Sequence, residues 1–235
     1  MTGVTVILPT YNERDNIEPL IEGVLTHVRP APEVLVVDDN SPDGTWQLVE
    51  DLAEKHPSVR LIRRTDERGL TSAIRRGIAE AQGDVVVWMD CDLSMPPAKI
   101  PELLAALKDC DLAIGSRYVP GGADIGHGFV ARAFSRTINF FAGLFLGFHV
   151  TDYTSGFVAA RKEIFDHISL EGDYGEYCID LLCHAGRYGF RLKEVPYHCV
   201  ERHAGDSKTA TNLWGFFTRG WNYVVTVLRL RFLGR

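Results

Sequence analysis

The stretch from Val85 to Pro97 constrains the fold of this chain more than any other. Val85–Met89 is a continuous apolar run of β-branched and aromatic residues, which is typical of a strand buried on both faces. Asp90 and Asp92 follow directly, so two carboxylates lie one residue apart where that strand ends. In open α/β folds, ligands bind at the carboxyl ends of the strands. The pair therefore favours a divalent cation that carries a phosphate-bearing ligand, although a helix cap beside a solvated Asp is the alternative.

Short apolar runs alternate with amphipathic stretches along the first half of the chain. The predicted strands are Val4–Pro9, Glu33–Asp38, Val59–Ile62, Val85–Met89 and Leu112–Gly115. A helix is predicted after each of the first four strands. The first helix is expected to be capped by Asn16, with Pro19 in its first turn. This order predicts an α/β, Rossmann-like fold with a mostly parallel sheet between helices.

The second half of the chain is less regular. An irregular glycine-rich loop, Gly121–Gly128, is expected before a helix over 131–148. Further predictions are strands over 156–160 and 192–197, and helices over 176–185 and 213–232. The pattern divides the chain into a main domain, 1–211, and a C-terminal amphipathic helix, 212–235.

Composition limits the classes of function. With 235 residues, 46% of them hydrophobic, the chain can bury one large core. A net charge of −6 gives no basic field for nucleic acid. Five cysteines without a C-x-x-C pair predict free thiols in a reducing compartment, so the cytosol is expected. The sequence shows no secretory leader pattern, and its longest apolar run falls far short of the ~20 residues that span a bilayer.

The phosphate-binding loops rich in glycine are absent from the sequence. A dinucleotide site would have G-x-G-x-x-G after the first strand, whereas this chain has Pro9–Glu13 there. Metal and arginine must therefore neutralise any bound phosphate. Asp38 and Asp39, at the end of the second predicted strand, are able to hydrogen-bond a base or a ribose.

Six motifs occur in a characteristic order and spacing. They are Pro9–Glu13, Val37–Thr45, Asp90–Asp92, Gly115–Tyr118, Ser155–Phe157 and Arg202–Lys208. Together they resemble glycosyltransferase family 2, and within it the polyprenyl-phosphate sugar synthases, of which dolichyl-phosphate mannose synthases are typical. The resemblance covers the whole main domain and implies a nucleotide-diphospho-sugar transferase (GT-A) fold.

The resemblance also implies roles for individual residues. It implies a nucleotide site, with Asp39 on the base, formed by Pro9, Tyr11, Glu13, Val37, Asp39, Asp90, Cys91 and Lys208. Mg²⁺ or Mn²⁺ would bind Asp90 and Asp92, with Ser94 standing where the family often has Gln. The residues expected to act in catalysis are Asp92, Arg117 and Arg202.

The acceptor side departs from the family pattern. Ala131 stands where the family has an Arg, and Arg132 follows it. We expect the acceptor phosphate near Arg117, Arg132, Ser135, Arg136 and Arg202.

The expected chemistry follows from the charges of the substrates. A metal and arginines stabilise a leaving diphosphate electrostatically. A lipid monophosphate is largely dianionic near neutral pH, since its second pKa is about 6, and therefore requires positioning rather than a base. The resemblance implies inverting transfer of a hexose to polyprenyl phosphate. It favours mannose from GDP-mannose and leaves UDP-sugars possible.

The C-terminal segment combines aromatic and aliphatic residues with four arginines: Arg219, Arg229, Arg231 and Arg235. This composition suits a helix lying on the cytoplasmic face of an anionic membrane. A second apolar contact is expected from residues at helical spacing along the preceding helix: Phe134, Ile138, Phe141, Phe145 and Phe148. The alternatives for both helices are packing on the sheet or a dimer interface. A membrane-spanning partner or a homo-oligomer is a further expectation for the chain.

Three other functions compete with lipid-phosphate glycosylation. A transferase acting on a hydroxyl would need a carboxylate base, for which Asp152 and Asp180 are the candidates. A catalytically silent nucleotide-binding module would have no need for Asp90, Asp92, Arg117 and Arg202 together. A sugar-nucleotide pyrophosphorylase would be expected to have a glycine-rich basic loop after the first strand, which this chain lacks.

Overall fold

The computed structural model describes residues 3–147, 149–205 and 213–233. The first half alternates as predicted: β1 Val4–Thr10, α1 Arg14–His27, β2 Glu33–Asp38, α2 Thr45–Lys55, β3 Val59–Arg63, α3 Leu70–Glu80, β4 Val85–Trp88, α4 Ile100–Ala106 and β5 Leu112–Ser116. The second half contains β6 Ala123–Asp124, α5 Phe129–Leu146, β7 Val158–Arg161, α6 Glu176–Arg187, β8 Leu192–Pro196, β9 His198–Cys199 and α7 Leu213–Phe232. Two 3₁₀ turns, Pro97–Lys99 and Lys162–Asp166, precede α4 and follow β7.

Seven strands form one sheet in the order β3-β2-β1-β4-β7-β5-β8. All neighbours are parallel except β7, which runs antiparallel to both β4 and β5. The mostly parallel α/β sheet is therefore confirmed. Thr10 is paired with Asp38, so the carboxyl ends of β1 and β2 are level, and β4 ends on the other side of β1.

The sheet is buried on both faces, as its apolar strands predict. Ile7, Leu35 and Trp88 belong to the core on one face, whereas Leu8 and Val36 belong to the core on the other. Each of these side chains is at most 1% exposed. Side chains of a strand alternate between faces, so both cores draw on the same strands.

The predicted start of the first helix was wrong. The helix begins at Arg14, because the carbonyl of Glu13 accepts hydrogen bonds from the amides of Asn16 and Ile17. Asn16 is therefore inside α1, where it is buried, and Pro19 lies beyond the first turn. The Asn16 side chain instead donates to Glu13 Oε2 at 2.7 Å and to the Ala204 carbonyl at 3.2 Å.

The glycine-rich loop contains structure that the sequence pattern did not indicate. Ala123 and Asp124 form β6, which pairs in parallel with β9. The following helix starts two residues earlier than predicted and ends at Leu146, since Gly147 adopts a φ of +101°. The last residue of the predicted helix, Phe148, lies outside the described residues.

The terminal helix α7 forms over the predicted residues and packs against α5 and α6. Val227 and Leu230 are buried in this contact, and Arg229 binds the Asp180 carboxylate on α6 at 2.8 Å. Within the described parts of the chain, no helix combines the length and apolar character needed to cross a bilayer. The division into a main domain and a C-terminal helix stays a prediction.

Candidate active site

Asp38, the last residue of β2, organises the loop that follows it. Its carboxylate is fully buried and accepts hydrogen bonds from Thr10 Oγ1 at 2.8 Å, Ser41 N at 2.8 Å and Ser41 Oγ at 2.7 Å. These bonds join the ends of β1 and β2. Asp38 therefore stabilises the loop, and its expected hydrogen bond to a base or a ribose is not available to it.

Asp39 lies in a clamp formed by Arg64, which directly follows β3. Arg64 Nε donates to Asp39 Oδ1 at 2.7 Å, and the Gly69 amide donates to Oδ2 at 2.8 Å. Arg64 also donates to Ser72 Oγ at 2.8 Å and to the Gly69 carbonyl at 3.0 Å. The side chains of Arg64 and Asp39 are 5% and 9% exposed. The clamp fixes the orientation of the carboxylate predicted to contact the base.

The other residues expected at the nucleoside converge on the same edge. Pro9 is paired with Val37 in the sheet register, and Tyr11 and Glu13 follow β1 directly. The Val37 side chain is completely buried in the core, so only its backbone is available to a ligand. The guanidinium of Arg68 lies 5.2 Å from the centre of the Tyr11 ring.

The two aspartates after β4 have different surroundings. Asp92 is 6% exposed; its Oδ1 accepts the Ser94 amide at 3.0 Å, and its Oδ2 lies 2.9 Å from an Arg202 nitrogen. Asp90 is exposed to solvent. Between them, Cys91 is buried and donates to the Pro9 carbonyl at 3.3 Å. Leu93 has a φ of +64°, an uncommon backbone conformation that turns the chain sharply after Asp92.

The segment 200–204 lies on this loop although it is over a hundred residues away in sequence. The Val200 amide donates to the Ser94 carbonyl at 3.0 Å, and the His203 amide donates to the Asp92 carbonyl at 3.0 Å. The contact between Asn16 and Ala204 fixes the same segment to α1. Backbone hydrogen bonds therefore hold Arg202 beside the paired aspartates, whereas its predicted contact with phosphate stays a prediction.

The Asp90 carboxyl fits a divalent cation. Desolvation of its carboxyl and the nearby Asp92 carboxylate raise the pKa of Asp90 to about 6, against the opposing charge of Arg202. A cation at this position would relieve the electrostatic cost of ionising Asp90. Asp90, Asp92 and Ser94 offer oxygen atoms only, which suits Mg²⁺ or Mn²⁺.

Arg117, which directly follows β5, is surrounded by acidic and hydroxyl groups. Its Nε and one terminal nitrogen bind the two oxygens of Asp152, each at 2.8 Å. The same terminal nitrogen donates to Thr154 Oγ1 at 2.8 Å, and the other lies 3.4 Å from Asp124 Oδ2. The Arg117 side chain is 9% exposed, so its orientation is fixed before any ligand binds.

Three of the five residues expected at the acceptor phosphate, Arg132, Ser135 and Arg136, lie on α5, at spacings of three and four residues that place them on one side of the helix. Ser135 Oγ accepts from Tyr118 at 2.9 Å and lies 3.4 Å from Arg117. Arg136 extends over the Tyr118 ring, and together with Arg117 it lines a cavity of about 380 Å³. Arg132 instead donates to the Asp124 carbonyl at 3.1 Å. The structure thus brings Arg117, Ser135 and Arg136 together, whereas Arg132 faces the backbone of β6.

The family model described as glycosyl transferase family 2 matches residues 5–169 of this chain. That match covers more than half of the chain and includes all of β1 but its first residue, together with β2, β4 and both aspartates after β4. The chain belongs to glycosyltransferase family 2. The resemblance predicted from the six motifs is confirmed.

Several family 2 relatives cover most of the chain. A dolichol-phosphate mannosyltransferase of Pyrococcus furiosus is 41% identical over 87% of this chain and 58% of that protein. A polyprenol monophosphomannose synthase of Mycolicibacterium smegmatis is 42% identical over 86% of this chain and 79% of that protein. An undecaprenyl-phosphate mannosyltransferase of Micrococcus luteus is 38% identical, with coverages of 90% and 89%. The chain thus spans little more than half the length of the Pyrococcus relative.

Solved structures support the fold. Glucosyl-3-phosphoglycerate synthase of Mycobacterium tuberculosis, in complex with Mn²⁺, uridine diphosphate and glucosyl-3-phosphoglycerate, superposes with a TM-score of 0.73. The superposition covers 98% of this chain and 80% of that one at 22% identity. The predicted GT-A fold is therefore confirmed.

Several residues of the candidate site were not identified from the sequence. It did not identify Arg64, although an Arg just past the end of β3 is placed to meet an Asp just past the end of the parallel neighbour β2. It considered Asp152 only as a base, and it did not assign Asp124 or Thr154 to Arg117. Lys208, predicted to contact phosphate, lies outside the described residues.

Proposed function

We propose that this chain transfers a hexose, with mannose favoured, from a nucleoside-diphosphate sugar to a polyprenyl monophosphate. The favoured donor is GDP-mannose, and UDP-sugars are the alternatives. Mg²⁺ or Mn²⁺ is the cofactor. One observation carries the proposal: relatives 38–42% identical over most of this chain are each named for mannose transfer to dolichol, polyprenol or undecaprenyl phosphate.

The charges of the site support this chemistry. An acceptor phosphate oxygen attacks the anomeric carbon in line, forming the new C–O bond as the bond to the departing nucleoside diphosphate breaks, so the configuration inverts. The cation, when bound at Asp90, Asp92 and Ser94, would stabilise the departing diphosphate. Arg117 and Arg202 offset the repulsion between the two anionic substrates.

A hydroxyl acceptor is less well supported, because it requires a base. The Asp152 carboxylate is completely buried and bound on both oxygens by Arg117. Asp180 is 1% exposed and bound by Arg229. Neither candidate base is therefore available to deprotonate an acceptor.

The test is a transfer assay with labelled donors. The protein is incubated with GDP-mannose, UDP-glucose or UDP-N-acetylglucosamine, each carrying a radiolabelled sugar, together with a short polyprenyl phosphate and Mg²⁺ or Mn²⁺. We expect label from GDP-mannose to enter the organic phase. Label that stays in the aqueous phase as a new saccharide would support a hydroxyl acceptor, and no product from any donor would support a silent module.

Replacing Arg202 by Ala should raise the KM for polyprenyl phosphate by roughly 10- to 100-fold, the effect of losing a hydrogen bond to a charged group. Steady-state kinetics with varied acceptor at saturating donor and metal measures it. Arg191→Ala is the matched control, because Arg191 forms an exposed ion pair with Asp111 at the opposite edge of the sheet. An unchanged KM for polyprenyl phosphate in Arg202→Ala would show that Arg202 does not bind the acceptor.

We also propose that the chain contacts the cytoplasmic membrane surface through α5 and α7. The two helices border an apolar groove of about 430 Å³, lined by residues that include Ile138, Phe145 and Val224. Exposed apolar side chains on these two helices or directly after α7 are Phe140, Phe141, Leu144, Trp221, Val225, Leu228, Phe232 and Leu233. Their combination with Arg231 on α7 suits an anionic bilayer surface and an isoprenoid chain.

Replacing Trp221, which is 65% exposed, by Asp should lower binding to anionic vesicles several-fold, because a carboxylate at the lipid interface is repelled and costly to desolvate. Co-sedimentation with vesicles measures the change. Tyr188→Asp is the control, since Tyr188 is an aromatic of similar exposure, 59%, outside α5 and α7. Equal binding by all three proteins, with a mass that depends on protein concentration, would assign the surface to a contact between copies.

A further inference from the structure

Three side chains with metal-binding atoms meet where β6 pairs with β9. His127 Nδ1 lies 2.8 Å from Asp124 Oδ1 and 3.9 Å from Cys199 Sγ. The three donor atoms all lie within 4.8 Å of one another. Asp124 and Cys199 are buried, whereas the His127 side chain is 50% exposed. The cluster is therefore closed on the protein side and open to solvent beside the imidazole.

The backbone holds these three residues in place. Asp124 is paired with Cys199 in the β6–β9 ladder, and the amides of Ile125 and Gly126 both donate to the Cys199 carbonyl at 2.9 Å. A Cβ on Gly126 would lie 2.1 Å from the Val200 carbonyl oxygen, so only glycine permits this close approach. The His127 amide also donates to Asp124 Oδ1 at 3.2 Å. The donor atoms are thus brought together by the fold of the loop.

We propose that Asp124, His127 and Cys199 form a Zn²⁺ site, with a solvent molecule as the fourth ligand. One carboxylate oxygen, one imidazole nitrogen and one thiolate sulfur make a donor set that Zn²⁺ accepts in tetrahedral geometry. Mg²⁺ requires oxygen ligands in octahedral geometry, so it is excluded from this cluster. Zinc binding displaces the thiol proton of Cys199, and the exposed edge of His127 gives access to solvent.

The surroundings of Asp124 support a metal at its Oδ1. The other oxygen, Oδ2, lies 3.4 Å from an Arg117 nitrogen, and the Asp124 carbonyl accepts Arg132 at 3.1 Å. Groups of this kind orient a ligand from outside the coordination sphere. The metal would join the loop before α5 to β9, which leads into the segment that carries Arg202. The site is distinct from the oxygen-only cluster of Asp90, Asp92 and Ser94.

Cobalt titration tests the site without reference to transfer activity. Co²⁺ is added to the reduced, chelator-treated protein, and a near-ultraviolet thiolate-to-cobalt charge-transfer band is expected to saturate at one ion per chain and to vanish when Zn²⁺ is added. The band should be absent from Cys199→Ser. It should persist in Cys110→Ser, in which another buried thiol is removed, and in Asp90→Asn, in which the oxygen site is damaged.

A second variant, His127→Ala, tests the site if Cys199→Ser does not fold. Because His127 is half exposed, this substitution is expected to leave the fold intact. Its Co²⁺ affinity should fall by more than the roughly 10- to 100-fold that loss of an outer-shell partner costs. The absence of a band in the wild-type protein would overturn the proposal. An unchanged band in Cys199→Ser would assign the thiolate elsewhere, and an unchanged Co²⁺ affinity in His127→Ala would show that the imidazole is not a ligand. Either result would overturn the proposal as well.

Discussion

Replacing Asp90 by Asn is expected to lower the rate of sugar transfer by roughly a thousandfold or more at saturating substrates. Asp90 provides a solvent-facing carboxylate at the end of β4, and a divalent cation held there supplies several kcal/mol of stabilisation to the departing diphosphate. The amide of Asn keeps the shape of the side chain and removes its charge. The measurement is the initial rate of label transfer to the organic phase across a series of Mg²⁺ and Mn²⁺ concentrations.

The same substitution should raise the thermal stability of the metal-free protein at pH 8. Because the pKa of Asp90 is raised to about 6 in the folded state, against 3.8 as the ordinary value, ionised Asp90 destabilises the fold above pH 6. That cost disappears as the pH falls through 6 towards 4. The melting temperature of Asp90→Asn should therefore exceed that of the wild type at pH 8 and approach it near pH 4. Mg²⁺ should stabilise the wild type only.

Asp109→Asn is the matched control for both measurements, since Asp109 is 76% exposed and lies far from the end of β4 in the fold. It should transfer sugar at the wild-type rate and respond to Mg²⁺ as the wild type does. Transfer by Asp90→Asn at more than a tenth of the wild-type rate would contradict the metal role. Retained Mg²⁺ stabilisation in that variant would contradict it independently.

The first half of the fold was predictable because each of its elements carries a local signal. Apolar runs such as Val34–Val37 have no polar face, and the amphipathic stretches between them repeat every three to four residues. The position of Asp90 and Asp92 followed from the end of β4 alone. Parallel strands with helical crossovers also place their carboxyl ends at one edge, so the placement of Asp39, Asp90 and Asp92 at the same edge of the sheet required no further information.

The remainder depends on contacts between distant parts of the chain. Strand β7 enters the sheet antiparallel between β4 and β5, and nothing within Val158–Arg161 specifies that direction. Strands β6 and β9 have two residues each, too few to show a period. The partners of Arg117 come from β6 and from the loop before β7. The sequence shows the charge of Arg117 but not which carboxylates the folded chain places beside it. Arg64 is different, because the parallel pairing of β2 with β3 was enough to place it beside Asp39.

Replacing Arg117 by Met should destabilise the fold by about 3 kcal/mol and abolish transfer. Asp152 is completely buried and receives two hydrogen bonds from the guanidinium, so the substitution leaves an uncompensated carboxylate in the interior. In the variant, the backbone amide of residue 117 would still donate to Asp152, as it does at 3.0 Å in the wild type. The expected loss of stability is therefore at the lower end of the roughly 3–5 kcal/mol that breaking a buried ion pair costs. Urea unfolding gives the free energy, and Arg191→Met, which removes an exposed ion pair, should stay within about 0.5 kcal/mol of the wild type.

The double variant Arg117→Met/Asp152→Asn separates stability from function. Neutralising Asp152 removes the buried unpaired charge, so more than half of the lost free energy of unfolding should return. Transfer should not return, because a methionine cannot bind the acceptor phosphate. Recovery of both would mean that Arg117 serves the fold alone, and the acceptor phosphate would then be assigned to Arg136 and Arg202. If neither the free energy of unfolding nor the transfer activity returned, the stability lost with Arg117 would be assigned to its contacts with Asp124 and Thr154 rather than to Asp152.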